Sequence, residues 1–124
     1  MARPTFSPIS VPDDTKQVVS ISAASPDSLY SRDSTAGSPG NMRLTKITVA
    51  SIADIGGAQV QVFVGVRYAS DGGGGNWTPL MAPILNPGDV VAASFSKPLK
   101  TDGDIVARST ATNLSTVTFE VEAF

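Results

Sequence analysis

The chain has 124 residues, a mass of 12.8 kDa and a net charge of −2, enough for one domain with a core. Its nine Lys and Arg residues are dispersed and its aromatics are few (one Trp, two Tyr, five Phe), so it offers neither a basic run nor a stacking platform for nucleic acid. Histidine and cysteine are both absent, which removes Ser-His-Asp triads, thiol nucleophiles, His/Cys zinc sites and disulfide frameworks.

Residues 1–41 read as an extended polar arm rich in Ser, Pro and Asp. Its opening, MARPTFSP, lacks the apolar stretch of a secretory signal. Only Lys16–Ala24 has a regular pattern, with Val19 and Ile21 alternating with Ser20 and Ser22 as in a short strand. An arm this polar either stays disordered or orders against a neighbour, since ordering the backbone costs about 1–2 kcal/mol per residue. Pro4, Phe6, Pro8, Ile9, Val11 and Pro12 are the candidate interface residues, the prolines lowering the entropy lost on docking.

Residues 42–124 read as a β-sandwich domain. Across Arg43–Ile52, Ile47 and Val49 share a face with Thr45 and Ser51, while Leu44 is out of phase, which predicts a bulge or a change of face. After a Gly56-Gly57 turn, Gln59–Tyr68 has the clearest pattern. Val60, Val62, Val64, Val66 and Tyr68 point one way, and Gln59, Gln61, Phe63, Gly65 and Arg67 the other, a period of two that no helix can use.

Asp71–Asn76 is a glycine loop followed by Trp77, Thr78 and Pro79, without the helix and lysine that a phosphate cradle needs. Trp77–Ile84 is a short strand limited by proline, and Asn86-Pro87-Gly88-Asp89 has Pro then Gly at the centre of a type II turn. In Val90–Phe95 the residues Val91, Ala93 and Phe95 are in phase, and Asp102-Gly103 marks a tight turn. Ile105, Ala107 and Ala111 then oppose Arg108 and Thr110. The last strand, Thr116–Phe124, turns Val117, Phe119, Val121 and Ala123 inward and Thr118, Glu120 and Glu122 outward. Short alternating strands between regular turn signals, with eleven Gly and nine Pro in the chain, predict an all-β fold: an antiparallel β-sandwich, jelly-roll-like, with an extended N-terminal arm.

Little chemistry is left for such a chain. Carboxylate pairs can hydrolyse glycosides, but Asp102 and Asp104 flank a turn glycine and Glu120 and Glu122 share a solvent face, so no enzyme, cofactor or metal is expected. Asp102 and Asp104, with Asp89, are the acidic residues to weigh for a Ca²⁺ loop. They lack the EF-hand pattern. Tyr68 and Trp77 flank the glycine loop and either stack on a sugar ring or cap the end of the sandwich. With no apolar run near the ~20 residues of a membrane span, no membrane role is expected.

The stretch from Leu44 to Phe124 carries LTKITVAS, AQVQVFVGVRY, NPGDVV, SFSKPLKTDGDIVARST and TVTFEVEAF in succession. In this order of turns and closing amphipathic strand it resembles a recurrent type of small bacteriophage virion protein. Members are β-sandwich or jelly-roll domains that serve as capsid decoration (cement) proteins or as tail and fibre parts. The resemblance implies a structural protein, made in the host bacterial cytoplasm and carried in the virion. It also implies two partners: the chain itself, as a homo-oligomer and most plausibly a trimer, and the major capsid protein or another virion protein. The alternatives are a tail, neck or fibre component, or a carbohydrate- or receptor-binding module using Tyr68 and Trp77.

Overall fold

The computed structural model describes residues 14–31, 42–68, 76–99 and 103–123. They form nine strands: β1 (Asp14–Gln17), β2 (Asp27–Ser31), β3 (Met42–Ser51), β4 (Val60–Tyr68), β5 (Trp77–Met81), β6 (Ile84–Leu85), β7 (Val90–Leu99), β8 (Gly103–Ser109) and β9 (Ser115–Ala123). One sheet has the order β1-β9-β3-β7, the other β2-β8-β4-β5 with β6 also on β4, and all ladders are antiparallel. The sheets face each other as a β-sandwich.

The ladders are nested. β1 pairs with β9, β2 with β8, β3 with β7 and β4 with β5, as though one long hairpin had been laid out along the chain. Rolling that hairpin adds two further ladders, β3 with β9 and β4 with β8, which close each sheet. Except for the β4–β5–β6 turn-back, every connection therefore passes from one sheet to the other.

The core forms where the alternation places it. Val60, Val62, Val64 and Val66 of β4 are buried against Ile47 and Val49 of β3, Ile105 and Ala107 of β8, and Val117, Phe119 and Val121 of β9. Each such Val, Ile or Phe side chain contributes about 1.5–3 kcal/mol when taken out of water. Phe119 is the largest of them, and the ring of Tyr30 tilts against it at 5.8 Å between centroids.

The out-of-phase Leu44 has its expected cause. Between Leu44 and Lys46 the β3 ladder shifts register against both neighbours, so Thr45 is an extra residue relative to β9. That residue inverts the parity of the strand, and Leu44 and Ile47 are both fully buried although three positions apart. The Thr45 hydroxyl donates to the Glu120 carbonyl at 3.2 Å and occupies the irregularity.

Both turns at the ends of β3 and β6 are as the residues dictate. Gly57 N–H donates to the Asp54 carbonyl at 2.8 Å, and Asp89 N–H to that of Asn86 at 3.0 Å. Gly88 has φ = 84°, the left-handed value a type II turn requires at its third position. Gly65 is needed for space instead. A second bulge sets Leu80 as an extra residue on β5, and a Cβ at Gly65 would collide with the Thr78 carbonyl oxygen and lie 2.8 Å from Pro79 Cα.

The first third of the chain departs from its expected organisation. The division at residue 42 assigns residues 14–31 to the arm, yet they supply an edge strand to each sheet. The short strand expected within Lys16–Ala24 ends at Gln17. Val18 is fully buried, whereas Val19 and Ile21, the expected apolar face, are 47 % and 55 % exposed. Pairing to β9 fixes this register, and it runs one step past the strand: Val18 N–H donates to the Ser115 carbonyl and Asn113 N–H to that of Val18, both at 2.9 Å. The strand β2 lies in a Ser-rich stretch without alternation, where a bulge at Leu29 lets both Leu29 and Tyr30 contact the core.

Truncation separates the two parts of the expected arm. Deleting residues 1–13 should leave cooperative thermal unfolding in place. Deleting residues 1–41 removes β1 and β2, exposes Val117, Phe119 and Ile105 along two sheet edges, and should abolish the cooperative transition measured by calorimetry or circular dichroism.

Candidate interaction surface

Outward-facing side chains of the β2-β8-β4-β5 sheet begin with an unusual pair. Register sets Phe63 of β4 opposite Arg108 of β8, and the guanidinium lies over the ring, 4.5 Å from its centroid. Arg108 Nη2 also donates to the Ile21 carbonyl at 3.3 Å. Trp77, opposite Arg67 on the same outer face, donates from Nε1 to the Ala23 carbonyl at 3.0 Å. The β1–β2 connection, residues 18–26, is thus strapped across this face by two side chains that reach its backbone.

The strap is held at its base as well. The Asp27 carboxylate accepts from Val19 N–H at 2.6 Å and Ser20 N–H at 2.9 Å, and Ser109 N–H donates to the Ser20 carbonyl at 2.8 Å. Between the two anchors, the row Pro79–Gly65–Val106–Ser28 crosses the sheet. Val106 lies there with no solvent exposure even though it belongs to the outer face. Ser28 and Pro79 at the two ends of that row stay exposed, so the strap crosses this face without closing it.

That geometry bears on the two flanking aromatics. Tyr68 is on the inner face, 9 % exposed, with its hydroxyl donating to the Pro98 carbonyl at 3.5 Å. Trp77 is on the outer face, so the sheet lies between the rings and they form no common stacking platform. The glycine loop at 71–75 lies outside the described residues.

The acidic candidates are dispersed. Asp104 pairs with Arg67 at 3.2 Å at one end of β4, while Asp89 accepts the Asn86 N–H at 2.8 Å beside the other end, where β6 joins β4. The length of β4 separates them by about 25 Å, so they cannot share a cation; Asp102 lies outside the described residues. Glu122 pairs with Arg43 at 2.8 Å, and Glu120 lies opposite Lys46 on the outer face of the other sheet. A dent of about 70 Å³ there, lined by Lys46, Thr48, Thr118 and Glu120, is far below the ~300 Å³ at which small-molecule pockets begin.

The four sheet edges are unequal. The strands β1 and β2 have four and five residues, and β5 has five with Pro79 and a bulge, all features that blunt an edge. The fourth edge, β7, has ten residues. Its first seven, Val90–Ser96, include no charge, proline or glycine, and none of them is buried. Val90 is 64 % and Val91 37 % exposed, and Ile52 lies beside the same end at 47 %. The sequence shows the apolar phase of this strand, but not that it has one neighbour.

The expected arm contacts Pro4, Phe6, Pro8, Ile9, Val11 and Pro12 lie outside the described residues. No family model, curated protein or solved structure matches the chain.

The strap has a measurable energetic signature. Asp27→Ala strips the acceptor from two backbone donors and should destabilise the domain by about 1–3 kcal/mol in urea denaturation. Trp77→Phe keeps the ring, loses one exposed bond and should cost less than about 1 kcal/mol. Equal effects of the two would contradict the anchoring order.

Proposed function

We propose that this chain is a structural protein of a bacteriophage particle, a capsid decoration or cement protein that binds and stabilises the coat lattice. The observation that carries the reading is the strand order. Counting the eight longer strands, the sheets read 1-8-3-6 and 2-7-4-5, a nesting that supports reading the sandwich as a jelly roll, an architecture used by viral capsid domains. The motifs between Leu44 and Phe124 that resemble virion proteins fall on β3, β4, β7, β8, β9 and the turns that join them.

Other features agree with a binding and scaffolding role. Charged side chains on the described strands form ion pairs across ladders, Arg43 with Glu122 and Arg67 with Asp104. One outer face is crossed by the strap, and among the described residues the long edge β7 pairs on one side only. In this reading the protein is no enzyme, takes no cofactor, associates with itself and with the major capsid protein, and resides in the virion. The separation of Tyr68 and Trp77 across the sheet counts against a carbohydrate-binding module built on both rings.

Quantitative mass spectrometry and immunogold labelling of purified particles test this. Many copies distributed over the head shell are expected. A handful of copies confined to the tail would overturn decoration and favour a tail, neck or fibre component.

A further inference from the structure

We propose that the N-terminal segment of one copy adds a strand to the free β7 edge of a second copy. The proposal deepens the self-association in the reading above and is independent of any coat protein. It joins two observations, one on the edge and one on the segment.

Among the described strands, β7 pairs with β3 alone. It ends its sheet there, and Val90–Ser96 offers an uncharged run in which no residue is buried and five of the seven are exposed. Proline and charge, which help blunt β5, are missing until Lys97 and Pro98, and the ladder to β3 stays regular from Val90 to Ser94 before it shifts register at Phe95–Ser96. An edge of this kind is a template for strand addition.

The segment has a matching pattern. In an extended strand, the N–H and C=O of one residue point to one edge and those of the next to the other. Pro4, Pro8 and Pro12 are all at even positions, so their missing N–H groups fall on one edge. The odd positions, Thr5, Ser7, Ile9 and Val11, keep every donor on the opposite edge. Such a strand pairs on one side and is closed on the other, so it can extend a sheet by one strand and stop. Three of those four odd residues, Thr5, Ile9 and Val11, are β-branched and suited to a pleated surface.

The second copy is favoured over the same chain by reach. β1 begins at Asp14 on the far edge of the sheet, three strands from β7, or about 14 Å. Folding back to lie outside β7 would cross a fourth spacing, about 19 Å in all, and spend about six residues on the face that carries Lys46 and Glu120. That would remove Val11 and Ile9 from the paired run. A second copy accepts residues 3–12 whole.

The chain has no cysteine, so single thiols can be placed cleanly. Purified full-length Ser7→Cys protein is mixed with Ser94→Cys protein and bridged with a bis-maleimide. A bridged pair of chains is expected. Adding Ile9→Pro to the Ser7→Cys chain should weaken the association about tenfold or more, because it removes a ladder donor. Ser10→Pro, on the edge already closed by proline, should leave it unchanged. Absence of a mixed bridge, equal behaviour of the two proline variants, or bridging within single chains of the double-cysteine variant in preference to between chains would each overturn the proposal. None of these outcomes bears on whether the protein is found on particles.

Discussion

The structure depends on two strands from the end of the chain occupying the middle of both sheets. β9 lies between β1 and β3, and β8 between β2 and β4. Each therefore satisfies backbone donors and acceptors on both its edges, and each buries its inward residues against the opposite sheet: Val117, Phe119 and Val121 from β9, Ile105 and Ala107 from β8. Among the described residues, the earlier strands pair without them only as β3 on β7 and β4 on β5 and β6. Such non-local pairing makes folding slow to nucleate and cooperative once begun.

Placing β8 and β9 centrally determines which strands become edges, and the chain treats its edges differently. The N-terminal pair is short, and the connection between them is drawn over the outer face by Asp27, Arg108 and Trp77. The β5 edge is closed by Pro79 and its bulge. The remaining edge, β7, keeps a long uncharged run, and it is the part of the described surface most suited to another strand. Function in the proposed reading therefore lies on an edge and an arm, with the sandwich as a rigid mount.

Much of this was legible in the sequence because period-two alternation and turn chemistry are local. The valines of β4, the Pro-Gly turn before β7 and the inward set of β9 all follow from short stretches of residues. Even the bulge at Thr45 was signalled by one leucine out of phase. The strands β1 and β2 were not legible in the same way. Their pairing is dictated by β9 and β8, about 100 and 80 residues further along the chain. The alternation near β1 lies in Val19–Ser22, just past its end at Gln17, and Ser28 belongs to no alternating run. The strap was hidden for a related reason: Arg108, Trp77 and Ala23 meet only after the sheet forms. Tyr68 and Trp77 look like neighbours beside a loop, and only the register shows that the sheet separates them.

Native-state hydrogen exchange measures the central claim directly. The amides of Val117, Phe119, Val121, Ile105 and Ala107 should exchange through global unfolding alone, with a common opening free energy that matches the urea value. Amides in β1 and β7 should open at lower cost, as edges do. Exchange of the β9 amides as fast as those of β7, while β3 and β4 stay protected, would contradict the account by showing that the sandwich holds without its central strands.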